Sequence, residues 1–109
     1  MIKILSLLTR KDGMTHDAFV RHWRDIHGPL ALSVPGIRRY VQSHIETTRR
    51  RADIAETEVE VDGIAELWYD DEASLRASAA TPEAQRLYAD GALFIGRIKT
   101  YVINEQQII

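Results

Sequence analysis

Apolar and polar positions change their period several times along the chain. Ile2 to Thr9 is a short run rich in Ile and Leu that stops at Lys11-Asp12-Gly13, which predicts a strand followed by a turn. Phe19, Trp23, Ile26 and Leu30 then recur at helical spacing, with Thr15 or Asp17 placed to cap the helix they mark. Pro29 lacks an N–H and disfavours helical geometry at Gly28, so this helix is expected to end or kink there. Val34-Pro35-Gly36 reads as a turn, and Ile37 to Ile45 after it has strand character. Gly63 to Asp70 predicts a third strand, and Asp70 or Asp71 can cap the helix that follows through Glu72 to Ala80. That helix restarts at Thr81-Pro82, where Thr81 caps and Pro82 fits the first turn. Arg97 to Glu105 predicts the last strand.

The order is β-α-β-β-α-β, the ferredoxin-like arrangement of the α+β class, with two helices on one face of a four-stranded antiparallel sheet. Residues 1–109 fit one domain. On the second strand Ile37, Val41 and Ile45 share one side, while Tyr40, Gln42 and His44 share the other. With helices on one face only, an apolar opposite face predicts a second protomer packed against it, so a homodimer burying Ile37, Val41 and Ile45 is expected. The link from Glu46 to Asp62 is long and charged, the composition of a mobile binding loop.

Composition narrows the function classes. Fourteen basic and 16 acidic residues give a formal charge of -2, which argues against a nucleic-acid partner. The absence of cysteine excludes disulfides, thiolate metal sites and cysteine nucleophiles. No apolar run approaches the ~18 residues of a membrane span, and the start of the chain does not read as a secretory signal; a cytoplasmic protein without membrane contact is the expectation.

The candidate chemistry begins at His22. It lies three residues after Phe19 and four before Ile26, so it shares their face and is expected to point at the sheet, toward Tyr40. A histidine near pKa ~6.5 exchanges a proton at neutral pH, and a tyrosine hydroxyl beside it can orient a carbonyl or enolate. The alternative is a core histidine bonded to Tyr40 or to a backbone carbonyl. His27, beside Gly28-Pro29, sits where the helix dipole favours an imidazolium, and can cap carbonyls or meet a ligand. His22 and His27 are five apart, not the i,i+4 spacing that puts two ligands on one helical face, so no metal is expected. Trp23, Trp68, Phe94 and Tyr101 suit core and interface, with Trp68 also a candidate to line a pocket for an aromatic compound. Arg49, Arg50 and Arg51 suit a solvated loop, or an anion clamp. No phosphate loop, dinucleotide fingerprint or serine elbow is present.

His22-Trp23, His27-Gly28-Pro29-Leu30, the run Pro35 to His44, the run Glu66 to Asp71 and the run Phe94 to Val102 together resemble the EthD-domain family. The resemblance spans nearly the whole chain and implies a dimeric α+β barrel of ferredoxin-like protomers, with a pocket between helices and sheet in each. Within that family the chain is most similar to the methylmuconolactone methylisomerases, which rearrange small lactones without a cofactor. Their functional histidine and tyrosine match His22 and Tyr40, and Leu67 stands where they carry a functional cysteine. The resemblance thus implies a cofactor-independent enzyme of isomerase, cyclase or dehydratase type acting on a small, largely apolar carbonyl compound or lactone. His22 is then the general acid/base and Tyr40 the group bonded to substrate oxygen, with His27, Gln42, His44 and Trp68 contacting or orienting the ligand. A non-catalytic ligand-binding or accessory protein is the alternative, and haem or oxygen chemistry a third reading.

Overall fold

A computed structural model describes residues 1–109. The elements follow the expected order: β1 (Ile2–Arg10), α1 (His16–His22), a π-helical segment (Trp23–His27), α2 (Gly28–Ala31), β2 (Arg39–His44), β3 (Gly63–Tyr69), α3 (Glu72–Ala79), α4 (Pro82–Phe94) and β4 (Ile95–Ile103). The strands form one antiparallel sheet in the order β2-β3-β1-β4. Of the alternative caps, the chain uses Thr15, whose side chain accepts from the Ala18 N–H, and Asp71, which accepts from Ser74; Thr81 caps α4 as expected. No helix is long and apolar enough to cross a membrane.

Helices pack on one face of the sheet. Phe19, Trp23 and Phe94 are fully buried there with Leu8 and Ala65, and each such side chain contributes roughly 1.5–3 kcal/mol through burial. A second cluster of Ala31, Val34, Ala84 and Leu87 joins the first through Tyr40, which packs against both. Gly63 on β3 is required by this packing, because a Cβ there would overlap the six-membered ring of Trp23.

The helix does not stop at Gly28-Pro29 as the sequence suggests. It widens into a π-turn, in which the Gly28 N–H bonds to the Trp23 carbonyl, and runs on through Pro29 to Ala31. A proline ring collides with the carbonyl four residues before it and offers no N–H, and a wider turn relieves both problems. The extra residue also rotates the stripe that follows Trp23. Ile26, expected inside, is turned out to solvent at 54% exposure, and His27 is buried instead at 9%.

Two further expectations change. Ile37 precedes β2 and lines the helix-side cavity, so it does not share an outer face with Val41. Trp68 lies on the sheet face away from the helices, between the Lys3 ammonium (4.8 Å from the ring centroid) and the Arg39 guanidinium (4.6 Å). Its neighbours Leu67 and Tyr69 take the inward positions, as strand alternation requires.

Candidate active site

Between helices and sheet lies a cavity of about 450 Å³, within the usual range for a small-molecule site. Its floor comes from Ile4, Ser6 and Leu8 of β1, Ala65, Leu67 and Tyr69 of β3, and Ile98 and Thr100 of β4. Trp23, His27, Tyr40, Leu87 and Tyr88 are among the residues that wall it, and no Lys, Arg, Asp or Glu lines it.

Tyr40 is held by a three-residue relay. His44 Nε2 donates to Gln42 Oε1 (2.9 Å), and Gln42 Nε2 donates to both the Trp23 carbonyl (2.8 Å) and the Tyr40 hydroxyl (3.0 Å). Trp23 Nε1 donates to the same hydroxyl at 3.0 Å. Both lone pairs of the Tyr40 oxygen are therefore occupied, and its own proton has no acceptor within the chain. Toward a ligand this hydroxyl acts as a donor, the polarity needed to polarise a carbonyl. Burial raises its pKa above the ordinary tyrosine value and keeps it protonated. Gly28 permits the close approach of Gln42, since a Cβ there would stand 3.0 Å from Gln42 Nε2.

On the other side, one carboxylate gathers two histidines. Asp90 of α4 accepts from His27 Nδ1 at 2.8 Å and from His22 Nε2 at 3.1 and 3.2 Å. Phe94 lies against both rings, stacked on His22 at 4.6 Å and edge-on to His27 at 5.0 Å. The π-turn makes this arrangement possible. The wider π-turn brings residues five apart round toward the same side, so His22 and His27 both face Asp90, where regular α-helical spacing would splay them apart. A carboxylate only accepts, so the Nδ1 of His27 carries its proton and leaves Nε2 as a lone-pair acceptor. Nε2 makes no hydrogen bond within the chain, and no buried side-chain nitrogen or oxygen lacks a partner, so this atom is open to the cavity. Burial lowers the His27 pKa below the ordinary histidine value; the Asp90 hydrogen bond pulls the other way, and the nearby His22 adds to the lowering.

His22 itself does not meet Tyr40. Its ring lies outside the residues lining the cavity, with Nε2 on Asp90. His27 and Tyr40 are the pair that share the cavity, while Gln42 and His44 stand behind Tyr40. Trp68, on the opposite face, does not reach the site. Arg51 pairs with Asp53 in the exposed loop, away from the cavity. Asp90 was not anticipated, although a signal was present: it follows Leu87 by three residues and precedes Phe94 by four, an acid on the buried stripe of its helix.

The EthD domain model matches residues 11–98. The chain belongs to the EthD domain family. A curated relative, the 4-carboxymethyl-4-methylbutenolide mutase of Pseudomonas reinekei, is 26% identical over 106 residues, covering 96% of this chain and 98% of the relative. An EthD family protein from Bacillus halodurans superposes with a TM-score of 0.76 at 24% identity, over 97% of this chain and 99% of that one. A dimeric ferredoxin-like protein from Thermobifida fusca gives a TM-score of 0.67 at 18% identity, over 94% and 88% of the two chains. The EthD-domain resemblance and the ferredoxin-like fold read from the sequence therefore hold.

Proposed function

We propose that this EthD domain protein is a cofactor-independent isomerase-type enzyme that moves a proton on a small, neutral carbonyl compound or lactone. The observation that carries this reading is the pairing, in one uncharged cavity, of a tyrosine able only to donate and a histidine ring nitrogen free to accept. Tyr40 donates its proton as a hydrogen bond to the carbonyl oxygen and stabilises the enolate that forms. His27 Nε2 takes a proton from the carbon beside the carbonyl, and the imidazolium is stabilised by Asp90 through Nδ1. Return of that proton to a different carbon completes an isomerisation. His22 holds Asp90 from its far side and is a positioning residue in this scheme, the role it takes in place of direct acid/base work.

The Pseudomonas reinekei relative is named for a substrate bearing a carboxymethyl group. Here no basic side chain lines the cavity, and an unpaired buried carboxylate is costly, so the substrate is taken to be neutral. Leu67 lies in the floor where the resemblance places a cysteine, which removes a thiolate route and leaves proton transfer. The same substitution supports a second reading, a ligand-binding protein without turnover. We further propose a homodimer formed through the sheet face opposite the helices, in keeping with the dimeric Thermobifida fusca neighbour.

The test is a screen of neutral lactones and cyclic enones for binding and for double-bond migration in deuterated water. Turnover with deuterium incorporated beside the carbonyl is expected, with His27→Gln lowering the rate by about 10²-fold or more and His22→Gln by less. Binding without exchange in the wild type would favour the second reading.

A further inference from the structure

We infer that the hydroxyl pair Ser6–Thr100 is a second recognition point in the cavity and reads a second neutral oxygen on the substrate. The inference rests on the cavity being the ligand site, as proposed above. Ser6 and Thr100 are directly opposite across the β1–β4 ladder, and their hydroxyl oxygens are 2.9 Å apart. They are the only polar side chains on a floor otherwise made by Ile4, Leu8, Leu67 and Ile98 with small or aromatic neighbours, apart from the Tyr69 hydroxyl. Tyr69 is different: burial raises its pKa to about 12, and Ser78 lies close enough to its hydroxyl to oppose that rise.

A single hydrogen bond between two hydroxyls uses one O–H and one lone pair. The second O–H and the remaining lone pairs have no other partner in the chain. A cross-strand Ser–Thr bond would serve the sheet alone at an outside position. Here Ser6 is buried and Thr100 exposed, so the pair stands where the cavity opens along β4 and presents a spare donor to whatever binds there. Ser6 is opposite Ala65, and Ala65 is opposite Gln42, two residues along β2 from Tyr40. Ser6 and Tyr40 are thus two strand spacings across and two residues along the sheet from each other, about 12 Å at the backbone. Side chains reaching inward from both points suit a small ring system with an oxygen at each end, such as a hydroxyketone, a diketone or a hydroxylactone.

The probes are 1-tetralone and its 5-, 6- and 7-hydroxy derivatives, one skeleton with and without a second oxygen, with binding measured by calorimetry. At least one hydroxy derivative should bind the wild-type protein about five- to tenfold more tightly than 1-tetralone, the scale of one added neutral hydrogen bond. Ser6→Ala/Thr100→Val should erase that preference, read as the ratio of hydroxytetralone to 1-tetralone affinity within the same variant. Thr100→Ser, which keeps the hydroxyl, should retain it, and Ser6→Ala alone should reduce it. A preference unchanged in the double variant, or no preference for any isomer in the wild type, overturns the inference alone, provided that 1-tetralone binds and Tyr40→Phe weakens it. If no tetralone binds the wild type, the cavity reading and this inference fall together.

Discussion

The two faces of the sheet are built from alternate residues of the same strands and meet different surroundings. On the helix side, Ile4, Ser6, Leu8, Ala65 and Leu67 form a floor with no charged group. On the other side Lys3 binds Glu66 and Glu105 at 2.6 Å each, and Arg39 lies over Trp68, among Leu5, Val41 and Tyr101. Hydrogen bonds to Glu105 and Glu66 raise the Lys3 pKa, holding its charge in place. The inner face keeps its few polar atoms in fixed roles, and the outer face mixes apolar area with compensated charge, the composition of an interface rim and core. The proposed function accordingly assigns neutral chemistry to the inner face and association to the outer one.

The largest expected effect falls on the inner face. Trp23→Ala removes a fully buried ring, leaves a void beside Gly63 and takes away a donor to Tyr40. Urea denaturation is expected to show a loss of about 3–5 kcal/mol. An outer-face change should act on association instead. Val41 pairs with Glu66 in the β2–β3 ladder, so Val41→Glu sets two carboxylates side by side. Light scattering on the wild type is expected to give about twice the 12.4 kDa chain mass, and the variant's dimer should dissociate at least tenfold more readily. A wild type that remains monomeric at micromolar concentration would contradict association through the outer face.

A smaller effect concerns pH. The folded-state pKa of His27 lies below the unfolded value near ~6.5 because burial opposes its charge, and that of His44 is lowered mainly by burial as well. Groups shifted in this direction contribute stability that is fully present above about pH 6.5 and is lost as pH falls through the folded pKa. The melting temperature should therefore decline between pH 7 and pH 5, before Asp62 and the other low-pKa carboxylates protonate. His27→Gln should flatten that decline, leaving the part due to His44.

The fold was legible because its signals are local: strand runs closed by turns, three capping residues, and proline at the start of α4. The relay beneath Tyr40 was half legible, since Tyr40, Gln42 and His44 alternate onto one side of β2. The histidine facing the cavity was not. Reading the helix at 3.6 residues per turn placed His22 and Ile26 inside, and the π-turn replaced Ile26 with His27. Asp90 was hidden for another reason. One acid on an amphipathic helix reads as solvated unless its partners, 63 and 68 residues earlier in the chain, are already known to face it.

The central claim is that His27, held by Asp90, and not His22, presents the free ring nitrogen to the cavity. Nitrogen NMR of the imidazole rings tests it directly, by following both histidines while 1-tetralone or a lactone found in the screen is titrated in at pH 7. The expected result is a neutral His27 with its proton on Nδ1, an Nε2 resonance that shifts on ligand binding, and a His22 signal that barely moves. A ligand-induced shift at His22 Nε2 with His27 unaffected, or a His27 proton residing on Nε2, would contradict it.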